Sequence, residues 1–187
     1  MDAFESIIAA LLHVEGYWTA TTYKVELTKE DKEQIGRKSS PRWEIDVVAY
    51  SPASNELLAV ECKSLLNSRG VLAAAVLGEN QSPRYKLFRE KTLRNVVLGR
   101  LTKQMVDRGL CRADPTVRLC LATGKIVSAE ARQRLHSVFD ANGWLLFDEF
   151  WIRERLQAAA KSRYENAIAP VVAKLLLRNI AGGNTWS

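Results

Sequence analysis

Arg42-Trp-Glu-Ile-Asp-Val-Val-Ala-Tyr50, a polar gap Ser51-Pro-Ala-Ser-Asn-Glu56, then Leu57-Leu-Ala-Val-Glu-Cys-Lys63: charged residues stand here inside two runs that otherwise read as buried strands. The turn-rich gap between them marks a hairpin. An unpaired buried charge costs on the order of several kcal/mol, so Asp46, Glu61 and Lys63 are expected either to pair with one another or to hold a metal ion. Pairing Tyr50 with Leu57 closes the loop, and the same register carried along both strands sets Asp46 opposite Glu61 and Glu44 opposite Lys63. Side chains alternate along a strand, so all four should project from one face. Two carboxylates with Cβ atoms about 5 Å apart repel unless a cation lies between them. A hard divalent ion such as Mg2+ suits oxygen donors. Lys63 beside it would orient an attacking water or neutralise charge developing on a phosphate. A purely structural network competes with this reading, in which Lys63 pairs with Glu44 and partly neutralises Asp46 and Glu61, but it leaves negative charge in excess.

Working outward, 187 residues at 47% hydrophobic composition suffice for one domain with a sizeable core. The division expected is a main domain over residues 1–148 and a helical extension over 149–187 packed on the same domain. The opening Met-Asp-Ala-Phe-Glu places acids where a signal peptide carries positive charge, and no apolar run approaches the roughly 18 residues of a membrane span. A soluble, cytoplasmic protein without a membrane partner is the expectation. Cys62, Cys111 and Cys120 lack the close paired spacing of a zinc or redox site and are expected to be reduced packing residues. Only His13 and His136 are present, which argues against an imidazole-rich metal centre.

Formal charge is +6. Residues 82–112 carry Arg84, Lys86, Arg89, Lys91, Arg94, Arg100, Lys103, Arg108 and Arg112 against Glu90 and Asp107, more than the whole excess. Most charge runs are solvated helix faces, yet a one-sign helix repels itself unless a polyanion is expected. Nucleic acid is the partner that this charge suggests.

The hydrophobic periodicity predicts a helix over 2–14 and a strand over 17–27, and the polar composition predicts a mobile loop over 28–41. After the charged hairpin come a small-residue segment at 71–77, a break at 78–83 and a long basic helix over 84–108. A strand at 117–123, a helix at 129–141, a short strand at 144–147 and helices over 149–179 follow. The order is α-β-β-β-α-β-α with further elements appended, an α/β chain.

The triplet Glu-x-Lys carries little information alone, since an acid two places before a lysine arises about once by chance in a chain of this length. Glu30-Asp31-Lys32 also matches, within a polar segment. Glu61-Cys62-Lys63 differs in its hydrophobic strand and in the aspartate on the preceding strand. In these residues the chain resembles the PD-(D/E)XK nuclease superfamily over roughly residues 2–123, and looks most like its Holliday-junction-resolvase and methyl-directed-restriction branches. Phe4-Glu5 followed by Gly16-Tyr17 matches the acid and Gly-aromatic step of their opening helix, and Ile45 replaces the proline before the aspartate. The resemblance implies a restriction-endonuclease-like αβββαβ core, with a mixed central sheet flanked by helices and C-terminal helices added. It also implies that Asp46, Glu61 and the Cys62 main-chain carbonyl bind Mg2+, with Mn2+ able to substitute. Lys63 would then handle the water and Glu5 would be an outer acid near the metal.

Glu5 reads equally as a first-turn glutamate favoured by the helix dipole. Glu44 is a further ligand or, on balance, a partner of Lys63. On a helical wheel Gln104 falls among Leu93, Val97 and Leu101, where a buried amide needs polar partners; relatives carry a glutamine on this helix, and a structural amide fits the wheel as well. Ser39 and Ser40 could touch a phosphate, and Trp43 reads as core. The expected function is a Mg2+-dependent nuclease hydrolysing phosphodiester bonds, in DNA ahead of RNA, acting as a monomer or a homodimer. The alternative is a catalytically inactive nuclease-like module binding nucleic acid or protein, motivated by the apolar stripe of Ile152, Leu156, Val171, Val172, Leu175 and Leu176.

Overall fold

In a computed structural model the chain is described over residues 2–37, 42–80 and 82–161. Its elements run α1 (Ala3–Val14), β1 (Trp18–Glu26), α2 (Lys29–Gln34), β2 (Arg42–Ser51), β3 (Glu56–Lys63), α3 (Ala73–Leu77), α4 (Lys86–Arg89), α5 (Lys91–Asp107), β4 (Thr116–Thr123), α6 (Ala129–Asn142), β5 (Leu145–Phe147) and α7 (Glu149–Lys161). Among the described residues five strands form one sheet in the order β1-β2-β3-β4-β5. The first two pairings are antiparallel and the last two parallel. The chain is therefore α/β, with a mixed sheet flanked by helices. No described helix is long and apolar enough to cross a membrane.

Alternation along β3 divides the core. Leu57 and Ala59 join Leu87, Leu93, Leu101 and Phe139 in a cluster under α3–α6. Leu58, Val60 and Cys62 face the other way, onto Phe4, Ile8 and Leu12 of α1 and Ile152 of α7. Under α6, Phe88, Phe139 and Trp144 pack with ring centroids 5.2 to 5.4 Å apart, each such pair adding about 1 kcal/mol to the burial itself. Ile152 and Leu156 of the proposed C-terminal stripe pack against α1's side of the sheet; Val171, Val172, Leu175 and Leu176 lie outside the described residues, as do Ser39 and Ser40.

Two local expectations are corrected. Part of the polar stretch at 28–41 is the helix α2, because Thr28 and Asp31 form a reciprocal capping box and Asp31 is buried against Arg100. The long basic helix is broken at Glu90, which adopts an extended conformation between α4 and α5. There Arg94 turns back and donates from Nη1 to the carbonyls of Leu87 (3.0 Å) and Phe88 (3.1 Å), which α4's short turn leaves without intrahelical partners. The three cysteines are free.

Candidate functional site

β2 and β3 pair in the anticipated register, Tyr50 with Leu57, but the ladder ends at Val47 and Val60. Beyond that point β2 continues along β1 as far as Arg42, while β3 continues along β4 as far as Lys63. The sheet forks, and Asp46 and Glu61 stand at the fork.

Side-chain alternation is interrupted at the same place. Ile45 and Val48 both pack under α3–α6, whereas Val47 and Ala49 pack under α1; a regular strand cannot put positions three apart on one face. The slot opposite Asp46 on β1 belongs to Thr22, and it alone between Trp18 and Glu26 lacks a backbone partner. Thr22 has φ of 54°, a left-handed conformation that is unusual for a β-branched residue. This break corrects the single-face expectation: Glu44 lies on the face opposite Ile45, is exposed, and is backbone partner to Lys24. Among the described residues the ion pairs of Lys63 are to Asp46 and Glu61, not to Glu44.

The freed carboxylate of Asp46 turns to the neighbouring strand. Its Oδ2 accepts the Cys62 backbone N–H at 2.6 Å, satisfying a donor just past the last paired residue of the ladder. Lys63 Nζ then bridges the fork. It lies 2.8 Å from the Cys62 carbonyl oxygen, 3.5 Å from Asp46 Oδ2 and 3.9 Å from Glu61 Oε2. One cationic nitrogen thus touches three oxygens from two strands.

The electrostatics follow from the geometry. Burial, with the Asp46 carboxylate adding to it and Lys63 opposing, pushes Glu61 up to about 7. Burial alone would lower Lys63, but Asp46 and Glu61 more than offset it and hold the ammonium charged above its usual range. Burial pushes the Cys62 thiol up, and the surrounding Asp46, Glu5 and Glu61 carboxylates push it further. Glu5 of α1 is thereby within the field of the site; its own carboxyl is raised by burial and by Asp46. It also closes a capping box, accepting the Asp2 N–H at 3.4 Å.

The fit to a divalent cation rests on the donors. No group of three or more His, Cys, Asp and Glu side chains among the described residues is gathered to hold an ion. The fork instead offers two carboxylates and one main-chain carbonyl converging on a single positive charge, a donor set that suits Mg2+, which keeps several waters.

Gln104 is not part of this group. Its Oε1 accepts the Glu26 N–H at 2.8 Å and its Nε2 donates to the Lys24 carbonyl at 3.5 Å, so it covers the outer edge of β1. Trp43 is part-buried against the α3–α6 core, with the Arg37 guanidinium 5.1 Å from its ring centroid. The Gly16-Tyr17 step is structural at its aromatic end, for Tyr17 Oη donates to Glu56 at 2.6 Å, at the start of β3 and away from the fork. Tyr85, whose hydroxyl is pushed up by burial with Lys63 and Arg84 opposing, and Thr22 are not marked in the sequence: an isolated tyrosine after a proline turn and a threonine in a threonine-rich strand carry no distinguishing pattern.

Against family models, curated proteins and solved structures, the chain has no match.

Proposed function

We propose that the chain is a Mg2+-dependent nuclease of the PD-(D/E)XK type that hydrolyses phosphodiester bonds in DNA, with Mn2+ able to replace Mg2+. The observation that carries this reading is the convergence of Asp46 Oδ2, Glu61 Oε2 and the Cys62 carbonyl oxygen on one ammonium group at a fork in the sheet. Asp46, Glu61 and Cys62 O would hold the ion. The chemistry that a divalent cation supplies when bound is activation of water and neutralisation of charge on the scissile phosphate. Lys63, kept protonated by its two carboxylates, donates toward the water or a phosphate oxygen at the same point. Asp46 is held in orientation by the Cys62 N–H. Glu5 would act at a remove, as an acid whose own carboxyl is raised by burial and by Asp46.

Plasmid and linear DNA incubated with the protein should be cut in Mg2+ or Mn2+ and left whole in EDTA. Asp46→Ala and Lys63→Ala should each lower the rate by at least about a hundredfold. Unchanged cutting by both variants would remove these residues from the chemistry.

A second reading, a non-catalytic binding module, is favoured by one observation: Lys63 pairs with both carboxylates, as a purely structural charge network requires. Calorimetry distinguishes the two, because a module of that kind binds DNA and takes up no Mg2+.

A further inference from the structure

Past the C-terminal end of β3 lies a pocket of about 620 Å³. It opens where the chain leaves β3: Leu65, on its wall, is two residues past Lys63. The wall thus begins on the segment that follows directly from the strand carrying Glu61 and Lys63.

Its wall is built, not incidental. Residues 64–71 are clamped onto the connection after β4 by close backbone approach: a Cβ on Gly124 would stand 2.4 Å from the Ser64 carbonyl oxygen, and one on Gly70, where φ is +98°, would stand 2.9 Å from that of Lys125. Only glycine serves at either place. Val71 and Ile126 form a parallel bridge, and Lys125 Nζ donates to the Ser68 carbonyl at 3.0 Å. The lining follows a definite chemistry. Leu65, Leu72 and Tyr85 supply apolar surface, Asn80 a polar edge, and Arg69 and Arg84 positive charge. Neither arginine is in an ion pair among the described residues, in contrast to Arg37, Arg100, Arg132 and Arg134. Leu66 and Leu72 nevertheless stay 63% and 44% exposed at this end of the molecule.

An apolar cleft of this size with a few polar groups is the form of a small-molecule site. Two arginines without an ion pair among the described residues, next to the end of the strand that carries Glu61 and Lys63, narrow the ligand to a nucleotide. We propose that the pocket receives one unpaired nucleotide of the substrate strand, its base against Leu65, Leu72 and Tyr85 and its flanking phosphates on Arg69 and Arg84. This rests on the nuclease reading and specifies its substrate: DNA with an extrahelical or single-stranded nucleotide next to the scissile bond. A base inside a continuous duplex must first leave the stack to enter.

Two duplexes of one sequence test this, one fully paired and one with a single unpaired 2-aminopurine. Binding is followed in EDTA by 2-aminopurine emission and by anisotropy, cleavage in Mg2+. The full chain should bind the bulged duplex about tenfold more tightly, the scale of one base–aromatic contact, with an emission change. It should cut beside the bulge. Arg69→Ala with Arg84→Ala, and separately Leu72→Trp, which fills the pocket from an exposed position, should abolish the preference while leaving the melting temperature near that of the parent. If both duplexes bind and are cut alike and the pocket variants change nothing, the pocket assignment falls, while Asp46-dependent cutting keeps the nuclease reading. Absence of binding and cutting with either duplex overturns both.

Discussion

Glu61 is the residue on which the fork's electrostatics can be measured without any nucleic acid. Its carboxyl is pushed from an ordinary value of 4.5 up to about 7 by burial and by Asp46. Between those values the folded chain keeps a proton that the unfolded chain has released, so stability in EDTA should fall as pH rises from about 4.5 to about 7, and then level off. The loss attributable to this one group is roughly 3 kcal/mol. Glu61→Gln should flatten that slope and be the more stable protein near pH 8; urea unfolding of both proteins near pH 5 and near pH 8 measures it, and an identical slope in the two would show that Glu61 is not buried against Asp46. At this scale the sequence was readable because the signal was local: acids and a lysine in apolar strands must find partners, and Asp46, Glu61 and Lys63 do. Glu44 was misplaced by the same rule of alternation that placed the others. The rule assumes an unbroken strand, and nothing in Thr21-Thr22-Tyr23 announces the left-handed residue at the slot opposite Asp46.

Among the elements, α5 shows what periodicity does and does not reveal. Leu93, Val97 and Leu101 are buried as the wheel requires, and Gln104 does sit beside that stripe with polar partners. Those partners are backbone groups of β1, an edge strand whose outer N–H and C=O groups would otherwise lie open to pairing with another chain. A helical wheel gives a side chain's direction and not the element it meets, so edge cover and site membership looked alike. The two roles separate by measurement. Gln104→Ala should destabilise the fold by about 1 kcal/mol through the two lost hydrogen bonds, seen as a lower urea midpoint, while cleavage per folded molecule stays unchanged. A drop of a hundredfold in rate with no loss of stability would return Gln104 to the chemistry. The break between α4 and α5 was hidden for a related reason: Glu90 is an ordinary helix former, and the kink depends on Arg94 reaching two carbonyls behind it.

Over the whole molecule, net charge and usable charge differ. The sequence shows nine cations in residues 82–112 and suggests a phosphate-gripping helix, but folding spends several of them on the protein itself. Arg94 holds α4 and lies 4.9 Å from the Trp144 ring centroid; Arg100 binds Asp31 and Thr28; Lys103 pairs with Asp107 at 2.9 Å; Arg112 donates to the Pro52 carbonyl at 2.6 Å. A guanidinium engaged in this way cannot release a counterion from DNA without breaking its own contacts. Each phosphate neutralised contributes about 0.9 to the slope of log affinity against log salt concentration. Arg94→Ala and Arg100→Ala should therefore leave that slope unchanged and lower stability instead, by about 2 kcal/mol each, since both strand polar partners that are partly buried. Arg84→Ala, whose side chain has no ion pair among the described residues, should reduce the slope by about one phosphate with little effect on melting. Anisotropy titrations of one DNA duplex across a salt series, paired with thermal unfolding, read both quantities on the same samples. If Arg94→Ala and Arg100→Ala flatten the salt dependence and melt like the parent protein, α5 binds DNA through these side chains after all and its contacts to α2, α4 and Trp144 are dispensable.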